Sequence, residues 1–127
     1  MAKILLVEDN QYNREMLTKR LERSGFEVMP ALDGREGIEK AKNEAPDVIL
    51  MDLDLPEVDG WEATRRLKAN PSTRPIPIIA LTAHAGPVDL RKAVESGCDQ
   101  YETKPVMFAR LLGKIHACLR LLAPKAG

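Results

Sequence analysis

Three unbroken apolar runs dominate the chain: Ile4-Leu5-Leu6-Val7, Val48-Ile49-Leu50-Met51 and Ile78-Ile79-Ala80-Leu81. Each stops on an oxygen-bearing side chain: Glu8, Asp52 and Thr82. A short run without polar alternation suits a strand buried on both faces, as in a parallel sheet. Parallel neighbours need long crossovers, and the intervening segments have helical periodicity. Two weaker strands are predicted at Phe26 to Ala31 and at Gln100 to Thr103.

Five helices are expected between and after these strands. The first runs from Asn10 to Arg23, with Tyr12, Met16, Leu17 and Leu21 on one side, and stops at Ser24-Gly25. Asp33-Gly34-Arg35-Glu36 has capping-box spacing, and its helix carries Ile38 and Ala41 inward and ends before Pro46. Asp59-Gly60-Trp61-Glu62 repeats that spacing and opens a helix to about Lys68, with Trp61 packed at its start. Pro87 suits a first helical turn, with Leu90, Ala93 and Val94 as the inner stripe and Gly97 as the stop. Phe108, Leu111, Leu112, Ile115, Leu119 and Leu122 mark the last helix.

Strands and helices in alternation imply an α/β fold: a doubly wound five-stranded parallel sheet covered by helices on both faces. One domain over residues 1–122, then a short tail at 123–127, accounts for all 127 residues. Lys+Arg and Asp+Glu are 19 each, so the basic surplus of a general phosphate-backbone binder is missing and direct nucleic-acid binding is not expected. No apolar run is long enough for a membrane span. Two cysteines and no leader-like start fit a reducing cytoplasm.

In open sheets of this kind the site lies beyond the carboxyl ends of the strands. Those ends carry Glu8, Asp9 and Asn10; Leu32 and Asp33; Asp52 and Leu53; Thr82 and Ala83; Lys104 and Pro105. Glu8, Asp9 and Asp52 converge if the first and third strands are neighbours. Clustered carboxylates repel unless a cation or proton relieves them, and oxygen-only ligands favour a hard ion such as Mg²⁺. Magnesium suggests phosphate, Lys104 offers a mobile positive charge and Thr82 a hydroxyl donor. A carboxylate can itself act as the nucleophile. Taken singly, each acid reads as a cap or solvated loop residue, Thr82 as a helix cap and Lys104 as a surface charge. Their ordered occurrence at strand ends points instead to phosphoryl transfer onto one carboxylate, with metal and lysine neutralising charge.

The motifs Ile4-Leu5-Leu6-Val7-Glu8-Asp9-Asn10, Val48-Ile49-Leu50-Met51-Asp52-Leu53-Asp54-Leu55-Pro56, Asp59-Gly60, Ile79-Ala80-Leu81-Thr82-Ala83 and Tyr101-Glu102-Thr103-Lys104-Pro105 resemble, in that order, those of response-regulator receiver domains. The resemblance covers residues 3–122 and implies a flavodoxin-like strand order of 2-1-3-4-5. By that likeness Asp52 is the acceptor of a phosphoryl group from a histidine kinase or histidine phosphotransfer protein. Glu8, Asp9, Asp52 and the backbone carbonyl of Asp54 hold Mg²⁺, with Glu8 reaching it through water. Lys104 pairs with the phosphoryl group, Thr82 moves onto it, and the Lys104-Pro105 bond is cis. Tyr101 reports the change on the outer face. The helix near Val88 to Ser96, the strand at Tyr101 and the last helix then form the surface read by a downstream signalling protein. Such a protein is a phosphoryl acceptor with slow autophosphorylation and autodephosphorylation, not a turnover enzyme.

Two positions admit either of two readings. The Asp54 side chain either influences the metal from outside its ligand set or is solvated. His84 either tunes phosphoryl lifetime or is a surface residue. The chain resembles stand-alone regulators, and the alternative is a receiver segment of a hybrid kinase or transcription factor. A phosphatase of the haloacid-dehalogenase type would also use the Asp52-x-Asp54 pattern, but there the acidic pair follows the lysine, whereas Glu8-Asp9 precedes everything. His116-x-Cys118 lacks zinc spacing with Cys98, Arg65-Arg66-Lys68 reads as a solvated helix face, and no glycine-rich nucleotide cradle occurs.

Overall fold

A computed structural model describes residues 1–55, 58–83 and 86–122, with side chains through Arg120. Pro56 of the acceptor motif, His84, the Leu122 side chain and the 123–127 tail therefore lie outside the described residues. Ten elements alternate along the chain: β1 (Lys3–Val7), α1 (Gln11–Arg23), β2 (Glu27–Ala31), α2 (Gly34–Glu44), β3 (Val48–Asp52), α3 (Gly60–Ala69), β4 (Ile78–Thr82), α4 (Pro87–Ser96), β5 (Gln100–Thr103) and α5 (Phe108–Leu122). The sheet order is β2-β1-β3-β4-β5, with every pair parallel. This is the flavodoxin-like arrangement expected.

The unbroken apolar runs feed two cores because successive strand side chains point to opposite faces. Ile4, Leu6, Val48, Leu50, Ile79 and Leu81 meet Leu17 and Leu21 of α1 and Leu111, Ile115 and Cys118 of α5. Leu5, Val7, Ile49, Met51, Ile78 and Ala80 meet Ala41 of α2 and Ala63 and Leu67 of α3. β2 is an edge strand, which tolerates Pro30 opposite Leu6. Phe26 sits just before β2, buried in the α1–α5 core rather than paired in the sheet.

Both expected caps form: Asp33 accepts from the Glu36 N–H at 2.8 Å and Asp59 from the Glu62 N–H at 2.9 Å. Glu36 answers by accepting from the Leu32 N–H at 3.2 Å, one residue before the cap. Asn10, expected as the first residue of the first helix, instead caps it, accepting from the Asn13 N–H at 2.9 Å. Two helical stripes differ from expectation. In α1, Tyr12 is 73% exposed and Met16 40% exposed, and Leu17 and Leu21 carry the packing. In α4, Val94 is 69% exposed, while the small residues Ala93 and Ser96 are buried. Both helices carry apolar residues on more than one side, so spacing alone does not choose the inner face.

At the amino ends of the strands, Lys68 Nζ donates to the carbonyls of Arg74 (3.0 Å) and Ile76 (2.8 Å) and lies 2.9 Å from Asp99 Oδ2. Asp99 in turn accepts from the Ile78 N–H through Oδ2 and donates its own N–H to the Ile78 carbonyl, both at 2.8 Å. One ammonium thus ties α3, the approach to β4 and the approach to β5.

Candidate functional site

Because β1 and β3 are adjacent at the centre of the sheet, the residues that end them meet at its carboxyl edge. Glu8 follows β1 and Asp52 ends β3; both are buried, at 2% and 1% exposure, while Asp9 is exposed. Carboxylate oxygens of Glu8, Asp9 and Asp52 lie within 4.8 Å of one another. Lys104, just past β5, donates from Nζ to Asp52 Oδ1 at 3.0 Å and stands 3.9 Å from Glu8 Oε1. The Asp54 backbone N–H also donates to Asp52 Oδ1, at 3.0 Å, while residue Asp54 itself is exposed. Two donors therefore fix the rotamer of Asp52 through one oxygen.

Thr82 ends β4 and is buried at 3% exposure. Its carbonyl accepts from the Lys104 N–H at 2.8 Å, which ties the lysine's backbone to the threonine's strand. The Lys104-Pro105 peptide bond is cis, as expected. Tyr101, on the edge strand β5, is 38% exposed.

Glu8 is the most perturbed acid of the cluster. Burial, then a hydrogen bond shared with Asp52, then the charge of Asp52 push its carboxyl up from 4.5 to about 8. The Lys104 charge and the Asn10 N–H, which donates to Glu8 Oε2 at 3.3 Å, oppose that rise. For Lys104, burial alone would lower the pKa. The attraction of Asp52, Glu8 and Asp54 outweighs it, and the net direction is upward. Three carboxylates face one ammonium, so the cluster has an excess of negative charge that a hard divalent cation fits.

Two residues outside the acidic cluster support the site. Arg14 donates from Nη1 to the carbonyls of Glu8 (2.9 Å) and Asp9 (3.3 Å), which fixes the turn that presents the acidic pair. Gly60 lies so close to the acceptor that a Cβ there would stand 2.2 Å from the Asp52 carbonyl oxygen and 2.5 Å from Leu53 Cα. Gly60 was legible as part of the Asp59-Gly60 motif and as a helix start, but its packing against the Asp52 backbone was not. Arg14, on a polar helix face, gave no signal.

The sequence pattern of the response regulator receiver domain matches residues 4–116. The chain belongs to the response regulator receiver family. A polar-differentiation response regulator DivK of Brucella anthropi is 38% identical over 116 residues, covering 91% of this chain and 94% of that protein. The receiver domain of a signal transduction histidine kinase from Syntrophus aciditrophicus superposes with a TM-score of 0.91 at 32% identity, covering 100% of this chain and 98% of that one. The receiver domain of a sensor histidine kinase from Pseudomonas aeruginosa, solved with a magnesium ion in its active-site cleft, gives a TM-score of 0.87 at 36% identity, covering 93% and 97%. The chain's relatives thus include both a response regulator and the receiver domains of histidine kinases. Family membership decides against the phosphatase alternative. Among the described residues no helix is long and apolar enough to cross a membrane.

Proposed function

We propose that this receiver takes a phosphoryl group from the phosphohistidine of a histidine kinase or phosphotransfer protein onto Asp52, in a Mg²⁺-dependent step in the cytoplasm. The convergence of Lys104 and the Asp54 N–H on a single oxygen of a buried Asp52 carries this reading. Those contacts hold the carboxylate in one orientation, so little rotamer freedom is lost when it attacks. An Asp52 oxygen attacks phosphorus, the P–N bond of the donor breaks, and its electron pair returns to the imidazole. Glu8, Asp9, Asp52 and the Asp54 backbone carbonyl would hold the metal, which when bound neutralises charge on the transferring group. Glu8 would reach it through water, Lys104 would pair with the phosphoryl oxygens, and the Thr82 hydroxyl would donate to another.

The product is an acyl phosphate that hydrolyses slowly, and no sustained turnover of phosphate esters is expected. Drawing Thr82 inward vacates space on its side towards Tyr101, whose ring gains apolar burial by turning in. This is a shift between two packings that the phosphoryl group biases. A downstream signalling protein then reads the face made by α4, β5 and α5. Incubation with acetyl phosphate and Mg²⁺, followed by intact mass measurement, tests the acceptor. One phosphoryl group should add to the wild type and none to Asp52→Asn. Undiminished labelling of that variant overturns the assignment.

A further inference from the structure

β5 is an edge strand, and a single ammonium from α5 closes over its outer side. Lys114 Nζ lies 2.8 Å from Glu102 Oε2, donates to the Tyr101 carbonyl, and sits 5.4 Å from the centroid of the Tyr101 ring. The Glu102 side chain has no exposure, and the other cation beside it, Arg110, stands 3.7 Å away and is largely exposed. A buried carboxylate without a counter-charge is strongly destabilising, so Glu102 keeps Lys114 in place. The ammonium is therefore a fixed post, and the half-exposed ring beside it is the part free to turn. A cation over an aromatic face is attracted to it, and that attraction exists only while the ring points outward.

We propose that Lys114 is a positioning residue that holds the Tyr101 ring in its outward rotamer and so sets the resting position of the switch. The role rests on the phosphoacceptor function proposed above, in which Tyr101 turns inward when Asp52 is phosphorylated. The attraction of an exposed cation to a ring corresponds to a bias of about two- to fivefold in the rotamer ratio. Lys114 thus opposes premature turning of the ring without touching the phosphoryl site.

Side-chain couplings of isotopically labelled Tyr101, measured on the unphosphorylated protein, read the rotamer ratio directly. Lys114→Met alone strips Glu102 of its partner and can unfold the interface. The decisive comparison is therefore Lys114→Met/Glu102→Gln against Glu102→Gln alone, with neither variant burying an unpaired charge. The inward fraction should rise about two- to fivefold in the double variant, and Lys114→Arg should restore the wild-type ratio. Equal ratios in the double variant and in Glu102→Gln would overturn the role, leaving Lys114 as only the counter-charge of Glu102. Beryllofluoride, a phosphoryl mimic, separates this outcome from failure of the underlying function. If it binds the wild type and leaves Tyr101 unmoved, the output route is wrong, whereas the resting ratios still decide the role of Lys114.

Discussion

Lys104 Nζ donates to Asp52 Oδ1 at 3.0 Å across 52 residues of sequence. That bond joins the end of the central strand β3 to the turn after the edge strand β5. It is also the cationic arm of a site otherwise made of carboxylates.

Replacing Lys104 by Met keeps the stem and removes the charge. Asp52 then loses one of its two donors on Oδ1, and the acidic cluster loses its ammonium. Phosphorylation by acetyl phosphate should slow by about 10²-fold, the usual cost of one charge-stabilising donor. Labelling rates by intact mass provide the check, and a change within about twofold would remove Lys104 from the transfer step.

Glu8 predicts a pH dependence. Its carboxyl is held at about 8 in the fold against 4.5 as an unperturbed group. The native state therefore keeps a proton that the unfolded chain gives up between those values. The stability tied to that proton is present at low pH and is lost as pH rises through about 8. Metal-free wild type should lose stability from about pH 4.5 to about 8 in denaturant titrations, and Glu8→Gln should flatten that slope. Mg²⁺ favours the ionised carboxylate, so its affinity should climb over the same window with release of a proton, measurable by calorimetry in buffers of different ionisation enthalpy.

Gly60→Ala places a methyl against the backbone of Asp52 and Leu53, which cannot step aside as a flexible side chain would. The cost should be about 3 kcal/mol or more, read as a lower denaturation midpoint at unchanged slope. The variant should also label poorly, because the carbonyl it displaces belongs to the acceptor. A stable, fully labelled Gly60→Ala protein would mean that the loop after β3 shifts freely.

Thr82→Ala should still accept phosphate, since the nucleophile and Lys104 remain. The beryllofluoride-induced shifts of α5 amides should shrink, because the hydroxyl that couples the site to Tyr101 is gone. Equal shifts in wild type and variant would break the threonine–tyrosine route and leave the acceptor role standing.

Most of the fold was legible because it rests on local signals. Unbroken branched runs marked the three central strands, and Asp33 and Asp59 each announced a helix start three residues before an acid. The candidate site residues Glu8, Asp52, Thr82 and Lys104 were legible for the same reason, since each ends or directly follows a strand. Helix rotation was harder: α1 offered Tyr12 and Met16 as well as Leu17 and Leu21, and α4 offered Val94 beside Ala93. Which side turns inward depends on what it packs against. Contacts set by distance in space rather than in sequence were invisible, including Arg14 on the Glu8 and Asp9 carbonyls, Gly60 on Asp52 and Lys114 on Tyr101.

The Lys68–Asp99 junction has a mechanical consequence. It binds the amino ends of β4 and β5 to α3, at the end of the sheet opposite Asp52. Strands anchored at one end can splay only at the other, so displacement should grow with each residue from Ile78 towards Thr82 and from Gln100 towards Thr103. Lys68→Met would release the anchor. The gradient of exchange broadening along the two strands would then give way to uniform motion, and signalling amplitude at the outer face would leak into the base of the sheet.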